Sequence, residues 1–142
     1  MKIFWDTNLF IYLWEKKAYA EEIDRLCAFI STHSYSTTTS SLTIAEILVK
    51  PQQLKRVDLI DQYLRAFAAL EVIPFGCKES LLFAKLRAIN PALRPPDAIQ
   101  LACACSAKCS VFLTNDERLA KVKHPSSLSV SSLQRFLRDV KG

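Results

Sequence analysis

Apolar positions recur along this chain with two alternating periods. Ile3-Phe4-Trp5 is a short β-favouring run, as expected of a strand buried on both faces, and Leu9 to Trp14 continues apolar as a helix. From Ala18 to Ile30, Ile23, Leu26, Cys27 and Ile30 recur at helical spacing, with Glu21, Glu22, Asp24 and Arg25 on the other side. Ser34 to Thr39 is rich in β-branched and aromatic residues and reads as a strand. Ser40 or Ser41 caps the next helix, which carries Leu42, Ala45, Glu46, Leu48 and Val49 and is expected to stop at Lys50-Pro51. Val57, Ile60, Leu64, Phe67 and Ala68 mark another amphipathic helix, Glu71 to Phe75 a short strand, and Leu81 to Leu86 a further helix. Asn90-Pro91 and Arg94-Pro95-Pro96 punctuate the loop that follows. Asp97 to Cys109 is apolar nearly all round and predicts a central buried helix. Ser110 to Thr114 is a strand, Asn115-Asp116 a turn, Glu117 to Lys121 a short helix and Leu128 to Val130 the last strand. Ser131-x-x-Gln134 reads as a capping box opening a terminal helix. Strands alternating with helices imply an α/β fold: a parallel sheet of four or five strands with helices on both faces. With no repeat, low-complexity tract or linker, residues 1–142 are expected to form one domain.

Composition narrows the chemistry. With 142 residues, half of them hydrophobic, the chain can bury a substantial core. Only 2 glycines are present, which excludes Gly-rich phosphate loops. Five cysteines, an odd number, together with an apolar start lacking a basic leader or cleavage site, predict reduced thiols and a cytoplasmic location. No apolar run is long enough to span a bilayer, so no membrane association is expected. A net charge of +5 mildly favours a polyanionic partner.

Four carboxylates stand out against apolar surroundings. Asp6 follows the first strand, Glu46 lies inside an otherwise apolar helical stretch, Asp97 opens the most hydrophobic helix, and Asp116 follows the strand Val111 to Thr114. Asp6 and Asp116 share one placement, the carboxyl end of a buried strand, where open α/β sheets bind ligands. Each acid also has a local alternative. Asp6 could cap the helix after it, Thr43-x-x-Glu46 fits a capping box, Asp97 could favour a helix dipole, and Asp116 could cap the short helix. Jointly those alternatives are weaker, because like charges gathered at one edge repel by several kcal/mol at roughly 4 Å unless a cation offsets them. Oxygen ligands with no histidine nearby select a hard divalent ion, Mg²⁺ or Mn²⁺.

The segments Phe4-Trp5-Asp6-Thr7-Asn8-Leu9, Thr43-Ile44-Ala45-Glu46-Ile47, Pro96-Asp97-Ala98-Ile99-Gln100-Leu101-Ala102 and Leu113-Thr114-Asn115-Asp116 resemble the acidic motifs of PIN-domain ribonucleases, in order and in spacing. Within that family, single domains of this size resemble VapC-type toxins of toxin–antitoxin pairs. The resemblance implies a PIN-like, Rossmann-like three-layer sandwich. It implies that Asp6, Glu46, Asp97 and Asp116 are the catalytic and metal-holding acids. Thr114 is then a neighbour steadying the site, with Thr7, Asn8 and Asn115 beside it. It further implies an RNA substrate, products with a 5′-phosphate and a 3′-hydroxyl, a homodimer, and a cognate antitoxin that inserts a segment into the groove. One departure stands out: two residues after Asp116, where many relatives carry a further acid, this chain has Arg118, which leaves open one metal ion or two.

The remaining polar and reactive residues read more plainly. Cys103, Cys105 and Cys109 lie in a buried apolar stretch without a second ligand cluster and read as core rather than zinc ligands. His33 and His124 lack catalytic partners and read as surface. Arg94, close in sequence to Asp97, is a candidate contact to a substrate phosphate. Trp5, Phe10, Tyr12 and Trp14 read as core or subunit interface. Two rival functions remain open at this point. A metal-dependent phosphohydrolase would use Asp6 as a nucleophile, although Asn8 stands where such enzymes usually have a second Asp. A non-catalytic RNA-binding scaffold would retain the acids without using them.

Overall fold

The computed structural model describes residues 1–141. Five strands, β1 (Lys2–Trp5), β2 (Ser36–Ser40), β3 (Glu71–Ile73), β4 (Val111–Leu113) and β5 (Ser129–Ser131), form one sheet in the order β3-β2-β1-β4-β5. Every neighbouring pair is parallel. Seven α-helices connect and cover the strands: α1 (Thr7–Glu15), α2 (Ala20–Thr32), α3 (Ser41–Gln53), α4 (Val57–Ala68), α5 (Cys77–Ile89), α6 (Pro95–Ser106) and α7 (Leu133–Asp139), with a 3₁₀ turn at Glu117–Lys121.

Alternation along the two central strands sorts the core into two layers. Ile3 and Trp5 of β1, with Val111 and Leu113 of β4, point to one face. They pack there with Leu9 and Phe10 of α1, Ile23 and Leu26 of α2, Ile47 of α3, Phe67 of α4 and Leu133 and Phe136 of α7. Phe4 and Phe112 point to the other face, against Leu86 of α5, Ala98 to Ala104 of α6 and Leu119. They are register partners and their rings stack, with centroids 5.0 Å apart and planes 7° from parallel. Two buried faces explain why these strands read as continuous apolar runs. Because the chain leaves β1 toward β2 and later crosses to β4 on the other side, the carboxyl ends of β1 and β4 form the switch point where such sheets bind ligands.

Three local expectations shift. α3 continues through Pro51 to Gln53. Pro51 lies in the last turns, where its buried ring outweighs one missing N–H bond. α6 ends at Ser106, so Cys109 lies beyond the helix and does not share a helical face with Cys105. The cap of α7 is Ser132, whose hydroxyl accepts from the amide of Arg135 at 3.2 Å, while Ser131 ends β5. All five cysteines are free thiols, and burial pushes Cys103 up to about 12 and Cys109 to about 11. Among the described residues, no helix is long and apolar enough to cross a membrane.

Candidate active site

β1 stops at Trp5 because the next residue caps a helix. Asp6 keeps extended backbone geometry and its Oδ1 accepts from the Thr7 amide at 2.8 Å. Its other oxygen, Oδ2, accepts from the Thr114 hydroxyl at 2.8 Å, across the gap between the ends of β1 and β4. Thr114 Oγ1 in turn accepts from the Asp116 amide at 3.1 Å, so one buried hydroxyl fixes both acids. Burial raises the pKa of Asp6 above the usual carboxylate value, and the charges of Asp97 and Glu46 raise it further. The two hydrogen bonds oppose that rise without cancelling it.

Glu46 lies in the second turn of α3 and its Oε1 accepts from the Thr7 hydroxyl at 2.7 Å. The local capping-box alternative does not describe it. The cap position of α3 is Ser40, and Thr43 lies inside the helix with its hydroxyl turned to Thr39 (2.9 Å) and Gln100 (2.9 Å). Thr43, which the sequence suggests as a cap, and Gln100, to which the sequence alone assigns no role, belong to a buried polar cluster. Gln100 Nε2 donates to Thr43 Oγ1 and, at 3.2 Å, to Thr7 Oγ1, and its Oε1 accepts from Ser40. Each hydroxyl has one proton. Thr7 gives its proton to Glu46, and Thr39 gives its to the Trp5 carbonyl at 3.0 Å. That same Thr39 proton is shared with Thr43 Oγ1 at 2.9 Å, and Thr43's own proton is left for Thr7 Oγ1 at 3.3 Å. Every proton in the cluster has an acceptor, and the ends of β1 and β2 and the starts of α1, α3 and α6 are tied together. One signal was legible: Gln100 is the only polar side chain between Asp97 and Ser106.

Asp97 occupies the first turn of α6 behind Pro95 and Pro96, and Arg94 Nε donates to its Oδ2 at 3.1 Å. Arg94 also reaches toward Asp116, with Nη2 3.8 Å from Oδ2. Asp116 caps the 3₁₀ turn and is gripped by Arg118 through Nε to Oδ1 (2.9 Å) and Nη2 to Oδ2 (2.6 Å). That fork, helped by the Arg118 amide, holds the Asp116 carboxyl below its ordinary pKa. The capping roles of Asp6 and Asp116 are therefore real, and both residues still stand at one sheet end. Asn8 is exposed on α1, and Asn115 accepts from the Leu133 amide at 3.4 Å.

The donors around this end are all oxygens, which suits a hard divalent cation in kind. Among the described residues, no three His, Cys, Asp or Glu side chains form a group that could hold an ion. Arg94 is 3.1 Å from Asp97, and Arg118 is 2.6 Å from Asp116.

A family profile described as PIN domain matches residues 3–125. Among solved structures, the fold is similar to a chain of VapBC2 from Rickettsia felis bound to a promoter DNA fragment. The TM-score there is 0.74 at 18% identity, covering 93% of this chain and 98% of that one. It is also similar to DNA-bound VapBC from Salmonella typhimurium (TM-score 0.72, 18% identity, 94% and 98% covered). A third similar structure is VapBC-5 from Mycobacterium tuberculosis (TM-score 0.59, 22% identity, 92% and 98% covered). No curated protein matches the sequence. The family match spans most of the chain, and the parallel sheet agrees with it: this protein belongs to the PIN domain family.

Proposed function

We propose that this chain is a divalent-metal-dependent endoribonuclease that hydrolyses RNA phosphodiester bonds and serves as the toxin of a toxin–antitoxin pair. The observation that carries the reading is a set of shared contacts at one end of the sheet: Thr114 bonds both Asp6 and the Asp116 amide, Thr7 bonds both Asp6 and Glu46, and Arg94 reaches both Asp97 and Asp116. A fold bears repulsion among such acids most readily if a cation relieves it. Membership of the PIN family and the likeness in fold to chains of toxin–antitoxin complexes support the same reading.

Asp6, Glu46, Asp97 and Asp116 are the residues that would hold Mg²⁺ or Mn²⁺. The chemistry such an ion supplies is acidification of a water and neutralisation of charge on the phosphate. The protein's own groups prepare the site. Thr7 and Thr114 fix the two oxygens of Asp6, and the Thr7 hydroxyl aims Glu46. Asp6 is the acid whose affinity for a proton burial raises. Asp116 would reach the ion through Oδ2, which accepts one bond from the Arg118 fork and keeps a second lone pair, whereas Oδ1 accepts from both the Arg118 amide and Nε. That engagement favours a second reading, an RNA-binding PIN scaffold without cleavage.

A cognate antitoxin, a homodimer, a cytoplasmic location and residues 1–142 acting as one domain complete the proposal. Incubating single-stranded RNA with purified protein and Mg²⁺ or Mn²⁺, with an EDTA control, tests it. Metal-dependent internal cuts leaving 5′-phosphate ends are expected. RNA binding with no cleavage would favour the scaffold.

A further inference from the structure

We infer that the cavity of about 420 Å³ beside Asp97, walled by Arg94, Arg118 and Lys121, seats a backbone phosphate of the RNA strand next to the one that is cut. The inference rests on the nuclease reading only for the identity of the polyanion. Its geometry stands on the residues themselves.

A guanidinium carries five N–H donors. Arg118 commits one edge, Nε and Nη2, to the two oxygens of Asp116, which fixes the plane of the group. Both hydrogens on Nη1 and one on Nη2 remain available on a side chain that is 69% exposed. Arg94 is arranged the same way. Its Nε is on Asp97, its Nη2 leans toward Asp116, and 60% of the side chain is exposed. Lys121 has no ion pair among the described residues. The acids thus hold part of each guanidinium, and the donors they leave unengaged are the ones available to an anion. Asp97 and Asp116 each neutralise part of one arginine, and Lys121 adds an uncompensated charge, so the cavity attracts anions. Its lining also includes Leu93 and Leu119, and its polar groups are the three cations, the Asn90 amide and the Asp97 carboxylate that Arg94 engages. A strand whose scissile phosphate lies at Asp97 passes this cavity with its neighbouring phosphate, and planar arginine forks match phosphate geometry. In this arrangement Asp116, besides its place among the four acids, positions Arg118.

Fluorescence anisotropy of a labelled single-stranded oligoribonucleotide, read in EDTA so that the RNA stays intact, tests the assignment. Arg118→Gln and Arg94→Gln should each weaken binding roughly three- to tenfold at low salt. Each should also flatten the slope of log K against log salt by about 0.7. Arg118→Lys should keep the slope and regain only part of the affinity, because it keeps the charge and lacks the fork. Arg65→Gln, on an exposed pair with Asp61, should leave both unchanged. Wild-type affinity and slope in Arg118→Gln and Arg94→Gln would overturn the inference. So would a polyglutamate peptide whose binding, unlike that of RNA, depends on these arginines, since the cavity would then serve an acidic protein partner. Failure of the wild-type protein to cut RNA with Mg²⁺ or Mn²⁺ overturns the nuclease reading alone. Normal RNA binding by the arginine variants of a cleaving protein overturns this inference alone.

Discussion

Replacing Gln100 with leucine tests whether the buried polar cluster holds the site together. Gln100 is 3% exposed and makes three hydrogen bonds, to Ser40, Thr7 and Thr43. Each contributes about 1 kcal/mol net. The consequences for the three partners differ. Thr7 still has Glu46, and Thr43 still has Thr39. Ser40, fully buried, is left with no side-chain partner, which costs a further ~1–3 kcal/mol. The apolar surface that leucine buries returns part of this, on the order of 1–2 kcal/mol. The net expectation is a loss of about 2–5 kcal/mol in urea unfolding at neutral pH. Adding Ser40→Ala should recover about 1 kcal/mol, because the orphaned hydroxyl is gone, and this non-additivity is the signature of the cluster. A loss below about 0.5 kcal/mol, or strict additivity with Ser40→Ala, would refute the reasoning.

Thr114→Val removes the hydroxyl donated to Asp6 and should raise that carboxyl's pKa further. A raised carboxyl pKa gives stability that is present below the unfolded value and is lost as pH rises through the folded one. Urea unfolding should therefore show a larger penalty for Thr114→Val at pH 7 than near pH 4, and an equal penalty at both would count against the linkage. For the thiols, Cys77 is exposed while Cys103 and Cys109 are buried with pKa values pushed up to about 12 and 11. Thiol titration should show one fast site in the native protein and five after unfolding without reductant; fewer than five would indicate a disulfide.

What was legible in the sequence was whatever local pattern controls. Ile3-Phe4-Trp5 and Val111-Phe112-Leu113 read as buried strands because both of their faces are covered, and the sheet uses both. Asp6, Glu46, Asp97 and Asp116 stood out because isolated charges in apolar stretches need a reason. What escaped depended on contacts remote in sequence. Thr43 and Glu46 have capping-box spacing, yet Thr43 binds Gln100, 57 residues away, and Glu46 binds Thr7, 39 residues away. Arg94 reaches Asp116 only because α6 and the end of β4 meet in space. Pro51 predicts a stop because the rule against proline is local, whereas the packing that tolerates it is tertiary.

The central claim, that the acids at this sheet end hold a metal and cut RNA, is tested most directly by comparing wild type with Asp97→Asn in metal-dependent RNA cleavage. Among the described residues Asp97, 17% exposed, forms its ion pair with Arg94, which is 60% exposed and screened by solvent, so metal-free thermal unfolding should change by no more than about 1 kcal/mol. Cleavage with Mg²⁺ or Mn²⁺ should fall by more than about a hundredfold, beyond what losing an outer-shell partner costs. The rise in melting temperature that the metal gives the wild type should shrink as well. An Asp97→Asn protein that is destabilised yet cleaves RNA at the wild-type rate would contradict the account.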